Sequence, residues 1–112
     1  METETVLCSI ESHIATVTMN RPPVNAQNAQ FHTDMAAVFD WISDNDDVRV
    51  AVLTGAGKCF SAGADIKDQA GKERGPGESW QHNRRVRGCF YSIMECQKPV
   101  IGAINGPALG AG

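Results

Sequence analysis

Apolar positions along the chain change period several times. From Val6 to Ile10 they alternate with polar ones enough for a strand, and Ile14 to Met19 is a second such stretch. A period of two puts every second side chain on one face, so both stretches are expected as strands, joined by a hairpin turn at Glu11, Ser12 and His13. His13 reads as an exposed turn residue. Arg21-Pro22-Pro23 then stops the second strand, because proline cannot donate to a ladder. Phe31, Met35, Val38, Phe39 and Ile42 next fall at i, i+4, i+7, i+8 and i+11. That is the apolar face of an amphipathic helix predicted near Asn28–Ser43, with Asn25 or Asn28 as its cap. Asp44-Asn45-Asp46-Asp47 ends it. This run lacks the loop glycine and distal glutamate of a calcium-binding helix–loop–helix, and reads as a solvated turn.

Val48 to Leu53 is almost unbroken apolar sequence apart from Arg49, the pattern of a strand buried on both faces of a parallel sheet. Gly55-Ala56-Gly57 turns the chain, Cys59-Phe60-Ser61 is short and extended, and Ala62-Gly63-Ala64-Asp65 leads into a new helix start. Asp68 to Glu78 is polar, holds Gly71, Gly75, Pro76 and Gly77, and is expected as a mobile loop. Ser79 is the expected cap of a second long helix running to about Cys96. Val86, Phe90, Ile93 and Met94 form its buried stripe, and Trp80 near its start is expected to pack down or line a cleft. Pro99 ends the connection, and Val100 to Ile104 is a second fully apolar strand. Two buried strands joined through a loop and helix make a right-handed βαβ crossover, so the fold class is α/β. Asn105-Gly106-Pro107 turns out of the last strand, and Leu109 to Gly112 is expected to open another helix.

Composition narrows the function. The 112 residues are 42% hydrophobic and 21% charged, the profile of one small globular domain. The net charge of −3 comes without a basic patch, which argues against a nucleic-acid partner. Arg84, Arg85 and Arg87 read as a solvated helix face. No apolar run approaches the length of a membrane span. The acidic Met1-Glu2-Thr3-Glu4-Thr5 lacks the features of a signal or transit peptide, so a cytoplasmic location is expected. Cys8, Cys59, Cys89 and Cys96 form no C-x-x-C pair and show no metal spacing; buried thiols in a reducing compartment are expected, and no metal site. Gly110-Ala111-Gly112 is a turn of the kind that joins two elements, and the end of the sequence there reads as an interruption.

Two segments share one design. Phe60-Ser61-Ala62-Gly63-Ala64-Asp65-Ile66-Lys67 and Asn105-Gly106-Pro107-Ala108-Leu109-Gly110-Ala111-Gly112 each follow an apolar strand and open a helix. Both turns should emerge at the C-terminal edge of one sheet, where α/β folds bind ligands. Unpaired backbone N–H groups there attract negative charge, and small residues let a ligand approach the backbone. Two such amides aimed at one point make an oxyanion hole. Each turn by itself reads equally well as tight helix–strand packing. G-x-G-x-x-G and Walker A patterns are absent, which disfavours a nucleotide phosphate loop.

These residues resemble a known family. Asn20-Arg21-Pro22-Pro23-Val24-Asn25-Ala26 is similar to the N-R-P-x-x-N-A signature of crotonases, and Val50-Ala51-Val52-Leu53-Thr54-Gly55 to the strand and turn that follow it. Phe60 to Ile66 resembles F-x-A-G-A-D-[IL]. Lys98-Pro99-Val100-Ile101-Gly102-Ala103-Ile104-Asn105-Gly106 resembles K-P-V-I-A-A-x-N-G, with the A-L-G-G-G turn after it. The likeness covers essentially the whole chain, in family order and spacing. It implies the β-β-α superhelix of the ClpP/crotonase fold, of which residues 1–112 would be the N-terminal portion of a single acyl-CoA-binding domain.

The resemblance to the enoyl-CoA hydratase/isomerase family also implies roles. The ligand is an acyl-coenzyme A thioester, as substrate, with no further cofactor. The amides of Ala64 and Ala111 take the oxyanion positions, Ala111 standing where the family usually has glycine. Asp65, Ile66 and Lys67 line the coenzyme A side, with Lys67 a partner for phosphate, and Val24 and Ala62 are pocket walls. The implied reaction is addition of water to a 2-enoyl thioester. Isomerisation, thioester hydrolysis, decarboxylation, dehalogenation, or a noncatalytic CoA-binding fragment are the alternatives. Hydratases of the family use two glutamates downstream of the last motif here; neither Glu95 nor Asp65 matches them, and His82 reads as an exposed helix residue. Family members form trimers, often paired as hexamers.

Overall fold

The computed structural model describes residues 1–69 and 73–112. Among these residues seven elements follow one another: β1 (Val6–Glu11), β2 (Ile14–Met19), α1 (Ala29–Ser43), β3 (Val50–Gly55), α2 (Ile66–Gln69), α3 (Pro76–Met94) and β4 (Val100–Gly102). The strands form one sheet in the order β1-β2-β3-β4. Only the β1–β2 pair is antiparallel; β2–β3 and β3–β4 are parallel, each joined through helix.

The hairpin is tighter than its sequence suggests. Glu11 pairs with Ile14, leaving a two-residue turn in which Ser12 (φ 52°) and His13 (φ 67°) both adopt the left-handed backbone. Such turns match the twist of the strands they join. His13 also fastens the hairpin to the entry of β3: its carbonyl accepts from the Arg49 amide at 2.8 Å and its ring Nδ1 lies 2.9 Å from the Asp47 carbonyl.

The apolar stripe of α1 lies where the 3.6 period puts it. Phe31, Met35, Val38, Phe39 and Ile42 are buried against Val6, Ala15, Val17, Met19, Ala51 and Leu53 of the sheet. Asn28 is the cap, its Oδ1 accepting from the Phe31 amide at 2.9 Å. Burying a side chain of the Phe31 or Met35 kind contributes about 1.5–3 kcal/mol each, so this one interface carries much of the folding free energy.

Elsewhere burial departs from expectation. In β3 only alternate residues, Ala51, Leu53 and Gly55, are buried, because α1 and α3 lie against one face of the sheet. Val48 is buried just before the strand begins. The apolar stretch Val100–Ile104 yields only three strand residues at the sheet edge, with Ile101 56% and Ile104 59% exposed. The second long helix starts at Pro76, capped by Gly75 rather than Ser79. Proline suits the first helical position, where its fixed φ is helical and its missing N–H is not needed. Of α3, Cys89 alone is fully buried; Val86, Phe90 and Ile93 are half-buried and Met94 is exposed. Trp80 neither packs down nor lines a cleft: it is 67% exposed, with the Arg87 guanidinium 5.6 Å above its ring. The expected loop from Asp68 is shortened at both ends by α2 and α3, and Gly71 lies outside the described residues. Among the described residues no helix is long and apolar enough to cross a membrane.

Candidate functional site

Asn25 builds the floor of the site. It is fully buried, with a left-handed backbone (φ 54°) that folds its amide inward. Its Nδ2 reaches the carbonyls of Ala56, Cys59 and Phe60 at 3.0–3.1 Å, and its Oδ1 accepts from the Arg21 amide at 2.9 Å. One side chain thereby ties the loop after β2 to the turns after β3. Buried polar groups left unpaired are costly, so an apolar residue there would strand the carbonyls that its side chain now serves.

The segment Ser61–Asp65 then runs beside Gln27. A parallel bridge pairs Gln27 with Ala64: the Gln27 amide donates to the Gly63 carbonyl at 2.8 Å, and its carbonyl accepts from the Asp65 amide at 2.9 Å. In such a bridge the opposite residue points its own N–H away from its neighbour. The Ala64 amide accordingly has no hydrogen-bond partner among the described residues, although those of Gly63 and Asp65 on either side do. A second parallel bridge joins Ser61 to Ala108, with the Leu109 amide donating to the Ser61 carbonyl at 3.0 Å. It brings the last turn against the first. There the Gly112 amide is paired with the Leu109 carbonyl at 2.8 Å, and the Ala111 amide is unpaired among the described residues.

Gly63 lies between the two alanines. Its φ is +84°, and a Cβ placed there would stand 2.5 Å from the Leu109 carbonyl oxygen and 3.1 Å from the Ala111 nitrogen. The two turns touch through the space that a side chain would fill.

Two cavities border these turns. One, of about 420 Å³, is lined by Val24, Ala62, Ala64, Asp65, Ile66 and Lys67 together with Arg21, Pro22, Pro23 and Ala26. Every residue expected to line the ligand except Ala111 falls here. Ala111 instead lines a second cavity of about 230 Å³, whose walls are mostly apolar: Met19, Phe31, Met35, Leu53, Phe60, Cys89, Phe90 and Ile93.

The charges of the first cavity are not equivalent. Asp65 is held well below the usual carboxylate range, first by the Arg21 guanidinium at 2.7 Å and then by the Asp68 amide at 3.1 Å. Its carboxylate is engaged in orienting Arg21 and starting α2. Lys67 is exposed and makes no ion pair with a described residue, leaving its ammonium open to an anion.

A separate polar cavity of about 540 Å³ lies between α1 and the start of α3, with Gln27, His32, His82 and Arg85 in its lining. His82, expected as an exposed residue, is half-buried, its ring 6.5 Å from that of His32. Burial pushes the His32 ring below the ordinary histidine range, with the positive fields of His82 and Arg85 adding to it. Burial pushes the Cys89 thiol up to about 12, so it stays protonated. The described residues hold no cluster of three metal-ligating side chains. Glu95 caps α3 and is exposed. Gln27 and His32 carry no signal in the sequence: Gln27 precedes the helical period, and His32 sits beside the apolar stripe without belonging to it.

Residues 9–112 match the family model described as enoyl-CoA hydratase/isomerase. The chain is 38% identical over 114 residues to the mitochondrial delta(3,5)-delta(2,4)-dienoyl-CoA isomerase of Pongo abelii, covering 93% of this chain and 35% of that protein. It is 35% identical over 108 residues to the probable enoyl-CoA hydratase EchA14 of Mycobacterium tuberculosis, covering 96% of this chain and 41% of that one. Among solved structures, the enoyl-CoA hydratase of Bacillus anthracis superposes with a TM-score of 0.87 at 28% identity, over 97% of this chain and 43% of the other. The chain therefore spans about two fifths of the length of the relatives it matches.

Proposed function

The chain belongs to the enoyl-CoA hydratase/isomerase family of the crotonase superfamily and has its fold, and from that premise we propose that it forms the thioester-binding part of an acyl-CoA hydratase. The observation that carries this reading is the pair of unpaired amides, Ala64 and Ala111, in turns that meet at Gly63. A thioester carbonyl lying there receives both N–H groups. Coenzyme A then extends into the cavity between Arg21 and Lys67, where Lys67 supplies a phosphate partner and Asp65 acts through Arg21. The acyl chain extends into the apolar cavity that Ala111 lines.

Addition of water to C3 of a 2-enoyl thioester leaves an electron pair delocalised from C2 onto the thioester oxygen, and a proton at C2 completes the product. The two amides stabilise that oxygen's negative charge without having to reorganise; losing one such donor costs about 2.7–4 kcal/mol in known sites. The step also needs a positioned acid/base pair. Following the family resemblance, we assign that pair to carboxylates in the stretch of sequence that the relatives carry beyond the matched region.

Isomerisation is the second reading, favoured by the 38% likeness to a protein named a dienoyl-CoA isomerase. It uses the same amides to stabilise the same enolate, so the product separates the two. The complete gene product incubated with 2-enoyl-CoA is expected to bleach the conjugated thioester absorbance and give a product heavier by one water. A product of unchanged mass with a moved double bond supports isomerisation. Absence of any acyl-CoA binding by calorimetry defeats both.

A further inference from the structure

We propose that Gln27 is a positioning residue that holds the two oxyanion turns in register, with His32 fixing the orientation of its side chain. The proposal rests on the thioester-binding reading above and adds to it a residue that borders the apolar cavity but acts through the two amides rather than on the reacting atoms.

Among the described residues outside the turns, Gln27 is the one bonded to both of them through its backbone and its side chain together. Its main chain brackets Ala64, as described, and so sets the direction of the first unpaired amide. Its side-chain Nε2 donates to the Ala111 carbonyl at 3.0 Å and to Ser61 Oγ at 3.2 Å. The Ala111 carbonyl belongs to the peptide whose N–H is bonded to Leu109, so that peptide plane is gripped on both edges. Ser61 Oγ is itself fixed, donating to the Asn25 carbonyl at 2.8 Å and accepting from the Gly63 amide at 3.2 Å.

The network has only one consistent proton arrangement. The Ala111 carbonyl can only accept, so the Gln27 nitrogen must face it. Gln27 Oε1 then faces His32 Nε2 at 3.2 Å and must receive a hydrogen from it. Neutral His32 thus carries its proton on Nε2. Gln27 and His32 are 4% and 3% exposed, so the bonds of Gln27 to His32 and Ser61 are shielded from water, while the Ala111 end of the network is exposed. An apolar residue at position 27 would fill the space but leave the Ala111 carbonyl without its side-chain donor, so that the Ser61–Ala108 bridge alone would dock the second turn.

The test reads geometry rather than turnover, which keeps it independent of the reaction. Acyl-CoA labelled with carbon-13 at the thioester carbonyl is bound to the complete gene product, and its carbonyl stretch is measured by difference infrared spectroscopy. Two aligned amides polarise the carbonyl and lower its frequency. The expected result is a clear downshift in the wild type that is much reduced in Gln27→Met, with the Kd for coenzyme A itself unchanged and kcat lower by about 10–100-fold, the scale of a small misplacement. His32→Leu is expected to give a smaller loss. The double variant should lose no more than Gln27→Met alone, because His32 acts through Gln27. If Gln27→Met does not fold, Gln27→Asn, too short to reach the Ala111 carbonyl, is read the same way. An equal downshift in wild type and variant overturns the positioning role while leaving the thioester site standing. No downshift in the wild type removes the site and this role with it.

Discussion

The two glycine-rich turns look alike in sequence and differ in how they are held. The first, Ser61–Asp65, is braced from three sides: by buried Asn25 beneath it, by Gln27 alongside, and by the Arg21–Asp65 pair at its exit. Ser61 is fully buried. The second, Ala108–Gly112, is exposed throughout and leans on the first through the Ser61–Ala108 bridge and the Gln27 side chain. One turn is thus a template and the other is docked onto it. Each turn presents one unpaired amide, but the precision of the second depends on contacts made by residues far away in sequence.

The comparison breaks most completely at Gly63. Gly63→Val imposes a left-handed backbone on a β-branched residue, about 1–3 kcal/mol, and drives its side chain into the Leu109 carbonyl, about 1–3 kcal/mol more. Both turns should be displaced, with a lower Tm and loss of acyl-CoA binding together. Retention of either wild-type Tm or wild-type Kd contradicts the contact through Gly63.

Ala64→Pro removes the first amide without removing an internal hydrogen bond, since none is made there. Folding, followed by circular dichroism, should survive, while kcat falls by the roughly 100–1000-fold expected of a lost oxyanion donor. A folded variant turning over at the wild-type rate would show that this amide does not meet the thioester.

The network that joins the turns should respond to acid. Burial lowers the His32 pKa from its ordinary value of 6.5, so the unfolded chain takes up a proton there before the folded one does. Stability that is constant above about pH 6.5 should therefore decline as the pH falls through that value, and level off only below the lowered folded pKa. His82 is lowered in the same direction and adds to the slope. Thermal melts between pH 7.5 and 5.5 should show a shallower decline in His32→Asn than in the wild type; parallel curves would place the acid sensitivity elsewhere.

Ala111→Gly is expected to do least. It keeps the amide and removes a methyl group from the wall of the apolar cavity. Turnover should persist, with at most a modest change in KM for bulkier acyl groups. A loss comparable to that of Ala64→Pro would mean that the Ala111 side chain, rather than its amide, shapes the second turn.

Local pattern accounts for much of the molecule. The hairpin, the buried stripe of α1 and the cap at Asn28 follow from periods of two and 3.6 and from the chemistry of a short polar side chain, all of which act between near neighbours. That Val24, Ala62 and the Ala64–Lys67 run line one cavity follows the grouping of recognisable motifs in the sequence. The same reasoning overstated burial at Val100–Ile104 and Met94, because an apolar run says that a segment can be buried, not what covers it. It also placed the helix cap at Ser79, where Pro76 starts the helix earlier.

What the sequence by itself determined was which backbone amides lie in small-residue turns after strands, and hence where an oxyanion site can form. Tertiary structure alone decided which of them stay unpaired and how they are aimed. Gln27 meets Ala64 across 37 positions and Ala111 across 84, and His32 orients Gln27 from the next helix. Hydrogen bonds of that span leave no periodic trace, because their geometry exists only once the sheet has brought the two turns to one edge.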